Sequence, residues 1–172
     1  MPNWCEGNLR LRGTGTAILE FLKNELECVG YDGGGLLAGM KNCPVKVGDE
    51  YDEIDVGVPE EAAGWRFLKM YIKGTRRNFV NDKQFDFYIG GKDEREEVRV
   101  LCIDNVSAAW GFEPEPYVEK AKQYGLDIKI IGFEKGMQFA QIIEIVGGEL
   151  IKDQEVKFDD WDWECVMPNM GG

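Results

Sequence analysis

One short stretch of the chain mixes cationic side chains with aromatic rings. Its members are Lys69, Tyr71, Lys73, Arg76, Arg77 and Phe79. Cations neutralise phosphate and rings stack on bases, so this combination is typical of proteins that hold single-stranded nucleic acid. In an acidic chain, the same cations more often pair with acidic loops of the same molecule. The stretch therefore predicts either a nucleic-acid-binding module or a set of internal ion pairs.

Acidic side chains dominate the rest of the chain. The 172 residues include 32 acidic and 20 basic side chains, for a formal net charge of −12. A field of this sign repels phosphate, so we expect nucleic acid to be an unfavourable general partner. The acids concentrate at 49–55, 93–97 and 159–164, and the last run alternates them with Trp161 and Trp163. This alternation indicates either a protein-binding segment, with rings as anchors and carboxylates as steering charges, or a last edge strand packed on the core.

We predict that the first and last of these runs bind a basic partner protein. The candidate residues are Asp49, Glu50, Asp52, Glu53, Asp55, Asp159, Asp160, Trp161, Asp162, Trp163 and Glu164. The first run could instead bind Ca²⁺, but it lacks the D-x-[DN]-x-[DN]-G-x5-E pattern, so we expect a solvated rim and no metal. The glycines at 33–39 lack the G-x-x-x-x-G-K-[ST] motif that holds a phosphate, so we expect a flexible loop without a cofactor.

The composition offers little support for catalysis. The chain contains no histidine, which is the side chain that most often transfers protons near neutral pH, and we assign no catalytic residue. A hydrolase that works through paired carboxylates stays open as an alternative.

The five cysteines show no C-x-x-C spacing, which favours free thiols in the cytoplasm. No apolar run approaches the roughly 20 residues that cross a bilayer, so we expect a cytoplasmic protein without a leader or a membrane span.

The hydrophobic pattern predicts the elements that position these residues, beginning with a strand and a helix. Residues 8–13 alternate polar and apolar side chains at period two, as a half-buried strand does. Ile18, Phe21, Leu22 and Leu26 then share one face of an amphipathic helix. A strand followed by a helix that covers it is the expected start of the core.

A second strand and helix are predicted in the middle of the chain. Residues 98–103 form a nearly continuous apolar run, which is typical of a central strand. The chain then passes Trp110 and enters a helix near Pro116, a residue that is favoured in the first helical turn. Gly125 provides a stop signal for this helix.

The remaining pattern predicts an irregular insertion and a hairpin. Residues 28–64 are interrupted by glycine and proline, and we interpret them as a loop-rich insertion after the first helix. Residues 139–146 and 149–158 read as two strands joined at 147–148 by Gly-Gly, a dipeptide suited to a hairpin turn. We therefore predict one α+β domain over 1–172, with two helices on one face of a mainly antiparallel sheet.

Four motifs share the pattern of a known family, and they occur in the same order. They are MPNWCEGNLRLRG at 1–13, KGTRRNF at 73–79, AAW at 108–110 followed by Pro114 and Pro116, and FEKGMQFA at 133–140. Together they resemble the YubB ferredoxin-like family of small proteins carried by phages, prophages and plasmids. The resemblance implies a ferredoxin-like βαββαβ sandwich with an insertion, and it implies no established activity. The chain departs from the family pattern at Arg77, where a Trp is usual, and at Lys135, where a Pro is usual.

Charge, composition and this resemblance lead to one functional expectation. We expect a phage or mobile-element accessory protein in the cytoplasm of a bacterial host. Its acidic surface would imitate DNA, and would bind and inhibit or modulate a host nucleic-acid-processing or defence protein, such as a CRISPR effector or a nuclease. The alternative is a nucleic-acid-binding module that uses the stretch at 69–79.

Overall fold

The computed structural model of the chain describes residues 3–31, 37–48, 53–62 and 64–172. Strands dominate these ranges: β1 (Trp4–Thr14), β2 (Leu26–Tyr31), β3 (Leu37–Asn42), β4 (Val45–Val47), β5 (Glu53–Gly57), β6 (Arg66–Ile72), β7 (Asn78–Val80), β8 (Gln84–Tyr88), β9 (Val98–Ala109), β10 (Asp127–Glu134), β11 (Phe139–Val146) and β12 (Glu149–Lys157). The helices are α1 (Gly15–Glu25), α2 (Glu115–Tyr124) and α3 (Trp161–Glu164), with 3-10 turns at Glu60–Ala62 and Lys92–Glu94.

In the described part of the chain, these strands form two antiparallel sheets. The large sheet has nine strands in the order β12-β11-β10-β1-β9-β7-β6-β2-β3, and the small sheet has three in the order β4-β5-β8. β11 and β12 pair as the hairpin predicted across Gly147 and Gly148. Both glycines have positive φ, at 60° and 78°, which a tight turn of this kind requires.

β1 lies between β9 and β10 because its alternating side chains meet a buried residue on each neighbour. Leu9 is paired with Ile103 of β9 and with Ile130 of β10, and all three side chains are buried. The strand also requires a glycine at Gly7, since a Cβ atom there would lie 1.8 Å from the Ile131 carbonyl oxygen. The pairing of β1 with β9 is irregular at this point.

Two helices cover one face of the large sheet. α1 begins where the Thr14 hydroxyl accepts a hydrogen bond of 3.1 Å from the Ala17 N–H. α2 ends at Gly125, which has a φ of 66° and is left-handed, as the sequence predicts. The helices meet through a buried ion pair between Glu25 and Lys120.

The predicted ferredoxin-like βαββαβ fold is wrong. The large sheet has more than twice the four strands of that fold, and the predicted loop-rich insertion supplies β2 and β3 to this sheet and β4 and β5 to the small sheet. Glycines and prolines divide this region into strands too short for their alternation to be recognised. In such short strands, pairing with neighbouring strands outweighs local propensity. Leu26, predicted on the helix, instead begins β2 directly after α1.

The C-terminal segment covers part of the opposite face of the large sheet. Trp161 of α3 is 2% exposed and packs with Phe133, Ala140 and Cys165. Its indole N–H donates a hydrogen bond of 2.8 Å to the Pro168 carbonyl oxygen. The alternative of a last edge strand is therefore also wrong, because residues 161–164 form a helix instead.

The five cysteines are free thiols, as the sequence predicts. Burial raises the pKa of Cys5 to about 12, with the carboxylates of Glu134 and Glu6 adding to the effect. Burial likewise raises the pKa of Cys43 to about 12.

Among the described helices, none has the length and apolar character needed to cross a bilayer.

Candidate functional site

Strand register brings three aromatic side chains to the sheet face opposite α1 and α2. Ser107 of β9 lies opposite Phe79 of β7, and Phe79 lies opposite Tyr71 of β6. On its other side Ser107 lies opposite Glu6 of β1, two residues from Trp4. Because directly opposed residues share a face, Trp4, Phe79 and Tyr71 project from the same side of the sheet.

These three rings form one aromatic patch. The ring centroids of Trp4 and Phe79 lie 6.0 Å apart, and those of Tyr71 and Phe79 lie 5.9 Å apart. Both distances fall within the range of favourable aromatic pairs. All three side chains are partly exposed, so solvent or a ligand reaches the patch.

Two cations lie on the patch. The Lys69 ammonium is 5.3 Å from the Trp4 ring centroid and 5.6 Å from that of Phe79, and the Arg77 guanidinium carbon is 5.8 Å from the Trp4 centroid. Cation–π contacts of this kind contribute about 0.5–1 kcal/mol each at exposed sites. We call Trp4, Lys69, Tyr71, Arg77 and Phe79 the cation–aromatic surface.

Among the residues that the structure describes, no carboxylate forms an ion pair with either cation of this surface. Lys69 donates a hydrogen bond of 2.7 Å to the Asn81 side-chain carbonyl, which also accepts one of 3.2 Å from the Ser107 hydroxyl. Burial lowers the pKa of Lys69, and the more distant Glu6 carboxylate only partly offsets that effect. Arg77 has a φ of 55°, a left-handed conformation that costs a non-glycine residue of the order of 1–3 kcal/mol.

The other cations of the predicted stretch have acidic partners. Lys73 forms an ion pair of 3.4 Å with Glu27, and Arg76 forms one of 3.3 Å with Glu113. Neither carboxylate belongs to the three acidic runs. Within the described ranges, Lys69 and Arg77 form no ion pair at all, so internal pairing with the acidic runs does not account for the stretch.

A pocket lies at the end of β9, beside Arg76 of the β6–β7 turn. It has a volume of about 240 Å³ and is lined by Arg76, Ala109, Trp110, Gly111, Phe112, Glu113, Phe139, Gln141 and Glu155. We call it the Trp110 pocket. Its β11 side chains project from the other face of the sheet: Glu6, Phe133 and Ala140 share the face of Trp4. Phe139 and Gln141 are the neighbours of Ala140 along β11 and therefore face the opposite way.

Trp110 is exposed in a conformation that the backbone disfavours. Its side chain is 52% exposed and its φ is 66°. Its N–H donates a hydrogen bond of 2.9 Å to the Asn3 carbonyl oxygen, and the guanidinium carbon of Arg76 lies 5.1 Å from its ring centroid. A strained residue persists only where its surroundings hold it, and such residues cluster at binding sites.

Gln141 holds the turn that carries Trp110. Its side-chain oxygen accepts a hydrogen bond of 2.9 Å from the Phe112 N–H, and its amide nitrogen donates one of 2.8 Å to the Phe112 carbonyl oxygen. The two bonds fix the chain immediately after Trp110 to β11. The backbone that carries the exposed indole ring is therefore anchored to the sheet.

The first acidic run is only partly described. Asp49, Glu50 and Asp52 lie outside the described residues. Glu53 begins β5, and Asp55 is exposed on that strand. Asp55 lies directly opposite Asp86 of β8 on one side and Lys46 of β4 on the other.

The last acidic run is largely occupied with building α3. The Asp160 side chain accepts a hydrogen bond from the Trp163 N–H, and that of Glu164 accepts one from the Asp159 N–H. Asp162 forms an ion pair of 3.2 Å with Lys135. Buried Trp161 is unavailable as a surface anchor in this conformation, whereas Trp163 is 86% exposed.

The second and third acidic runs lie at opposite ends of β1. The Thr16 N–H, just after β1, donates to the Arg95 carbonyl oxygen of the second run. The third run packs near Phe133, which lies opposite Glu6 close to the start of β1. β1 has 11 residues, which at about 3.3 Å each place the two runs roughly 30 Å apart. They do not form one continuous surface.

Sequence reasoning found the stretch at 69–79 but missed Trp4 and Trp110. Each stands at the end of a strand, yet only the register of β1 on β9 brings them beside Lys69 and Arg76.

Over the residues described, no group of three or more cysteine or carboxylate side chains is placed to hold a metal ion. Comparisons of the chain with protein-family models, curated proteins and solved structures found no match. The chemical class of a ligand therefore has to be inferred from these side chains.

Proposed function

We propose that this protein binds single-stranded nucleic acid through the cation–aromatic surface. The observation that carries the proposal is the placement of Lys69 and Arg77 over Trp4 without an ion-pair partner in the described ranges. Cations that only neutralised the acidic runs would contact them. Instead, the two charges lie beside rings, where a phosphate and a base can be bound together.

The net charge does not prevent local binding of this kind. At physiological ionic strength, charges are screened over about 8 Å. The acidic run at 93–97 lies at the far end of β1, several times this distance from Trp4. The carboxylates at the Trp4 end of β1 are Glu6 and the run at 159–164, which packs near Phe133, opposite Glu6. These charges oppose Lys69 and Arg77 and weaken the attraction for phosphate. With few phosphates neutralised, we expect modest affinity and a shallow dependence on salt.

Fluorescence anisotropy with a short labelled single strand tests the proposal. Each phosphate contact contributes about −0.7 to the slope of log K against log salt for a single strand. We expect Lys69→Gln and Arg77→Gln each to weaken binding and to reduce the slope by about that amount. Lys157→Gln is the matched control, because Lys157 is an exposed cation on β12, away from the surface. Absence of binding at low salt, or equal binding by all three variants, would refute the proposal.

A second candidate function uses the acidic side chains and is favoured by the small sheet. Exposed Asp55 and Asp86 lie directly opposite each other there, although like charges in this arrangement destabilise a sheet. Lys46 lies opposite Asp55 on the other side, and a basic partner would supply further cations to this pair. On this proposal, the chain is a phage or mobile-element protein in the bacterial cytoplasm that inhibits a nuclease or a CRISPR effector.

Surface plasmon resonance against purified bacterial nucleases and CRISPR effectors tests this second candidate. We expect salt-sensitive binding that is weakened in Asp55→Asn/Asp86→Asn and retained in Asp153→Asn, a control that alters an exposed carboxylate on β12. Binding that is independent of salt, or equal for both variants, would count against an acidic binding surface.

A further inference from the structure

We infer that exposed apolar side chains in and just after α3 bind a basic amphipathic segment of another protein. These side chains are Trp163, Val166 and Met167, which are 86%, 81% and 47% exposed. We call them the Trp163 ridge. The ridge includes no residue of the cation–aromatic surface or of the small sheet, so the inference does not rest on either proposed function.

The side chains of the ridge lie close together because one short loop carries them. Trp163 and Val166 are three residues apart, which limits the distance between their Cα atoms to about 11 Å. The loop is closed by the hydrogen bond of 2.8 Å from the Trp161 indole N–H to the Pro168 carbonyl oxygen. Trp161 and Cys165 are buried, so the loop packs on the sheet through these two residues and the ridge lies on its solvent side.

The ridge is held in place from both sides. Before it, the Asp160 side chain accepts a hydrogen bond from the Trp163 N–H. After it, the backbone of Gly172 pairs with that of Trp4 through two hydrogen bonds of 3.2 Å. The exposed rings and methyl groups therefore belong to a segment that is fixed to β1, and little ordering is required when a partner binds.

The apolar character of the ridge indicates that its occupant is apolar too. Single exposed apolar residues are ordinary on a protein surface, whereas a cluster of them marks an interaction site. Here three of the five residues from Trp163 to Met167 are large, apolar and exposed. Tryptophan is also among the residues that contribute most to binding energy at protein interfaces.

The charges around the ridge favour a basic occupant. Asp159, Asp160, Asp162 and Glu164 place four exposed carboxylates beside it, and Lys135 forms an ion pair of 3.2 Å with Asp162. This excess of carboxylates repels phosphate. A second copy of the chain would bring the same carboxylates together across a symmetric interface, which like charges oppose. A segment that presents lysine or arginine beside apolar residues matches both the charge and the apolar surface.

Fluorescence anisotropy with a labelled peptide of leucine and lysine tests the inference. Its leucines are spaced to form one face of an amphipathic helix. Two further peptides separate the contributions, one with serine in place of leucine and one with glutamate in place of lysine. We expect the leucine–lysine peptide to bind more tightly than either.

Substitutions locate the binding site of the peptide. Trp163→Ala should weaken binding of the leucine–lysine peptide about tenfold, as for a central interface residue. Asp162→Asn should weaken it less, by about two- to fivefold, and should make binding less sensitive to salt. Val98→Ser is the matched control, because Val98 is 69% exposed and lies opposite Thr14, at the far end of β1. It should leave binding unchanged.

Several outcomes would overturn the inference. They are failure of the leucine–lysine peptide to bind, equal binding of the serine–lysine peptide, and equal binding by Trp163→Ala and the unaltered protein. Self-association that is lost in Trp163→Ala, measured by analytical ultracentrifugation, would assign the ridge to a second copy and also overturns it. Binding of a single-stranded oligonucleotide should be the same in Trp163→Ala and the unaltered protein, so the proposed function is tested separately.

Discussion

Replacing Gln141 with alanine removes both hydrogen bonds that hold the Phe112 backbone to β11, at 2.9 and 2.8 Å. A neutral intramolecular hydrogen bond contributes roughly 1 kcal/mol, so the loss of both should lower the free energy of unfolding by about 2 kcal/mol. For a chain of this length, such a change lowers Tm by roughly 4–8 °C. The turn that carries Trp110 also loses its anchor to β11.

Urea denaturation followed by circular dichroism measures the stability change. Gln141→Glu is an informative intermediate, because its carboxylate can accept from the Phe112 N–H but cannot donate to the carbonyl oxygen. It should lose about half as much stability. Gln154→Ala is the control, since Gln154 is exposed on β12. If Gln141→Ala loses less than about 0.5 kcal/mol, the range of an ordinary surface substitution, the anchoring role of Gln141 is refuted.

Other predictions concern the core, the pH dependence of stability and the thiols. Lys120→Met should lower the free energy of unfolding by about 3–5 kcal/mol in urea, because it leaves the buried Glu25 carboxylate without its cation; Glu25→Leu/Lys120→Met should recover most of the loss. The pKa of Asp127 lies below its ordinary value. Burial alone would raise this pKa, but hydrogen bonds that include one from Arg12 outweigh the effect of burial. The folded state therefore gains stability above the unfolded pKa and loses it as pH falls through the folded pKa, and an acid titration of Asp127→Asn should show a shallower loss. In the native protein only Cys102, the exposed cysteine, should react with a thiol reagent, with the remaining thiols reacting after denaturation; rapid native reaction of more than one thiol would contradict the burial pattern.

Local patterns predicted several elements correctly because the necessary interactions lie close together in the sequence. The alternation at 8–13 marks β1, and the apolar spacing from Ile18 to Leu22 marks α1. Gly125 ends α2 because it can adopt the left-handed conformation. In each case, a period or a single permissive residue is sufficient to specify the local structure.

The sheet order could not be predicted in the same way. β2 and β3 are six residues each, and β4 is three, so none offers a long alternating pattern. Their pairing depends on distant strands. β2 begins at Leu26, which was predicted on the helix, and continues into the region predicted as an insertion. The error at 28–64 therefore arose from treating glycine and proline as loop signals without the tertiary contacts that stabilise short strands.

By itself, the sequence determined the net charge, the absence of histidine, the main periodic elements and the concentration of cations and rings at 69–79. Only the tertiary structure decided which of those groups meet. The pairing of β1 with β9 brings Trp4 beside Lys69, and the β6–β7 turn brings Arg76 over Trp110, while packing against Phe133 buries Trp161. The physical reason is that side-chain spacing along the chain is local, whereas strand register is set by hydrogen bonds and packing between segments distant in sequence.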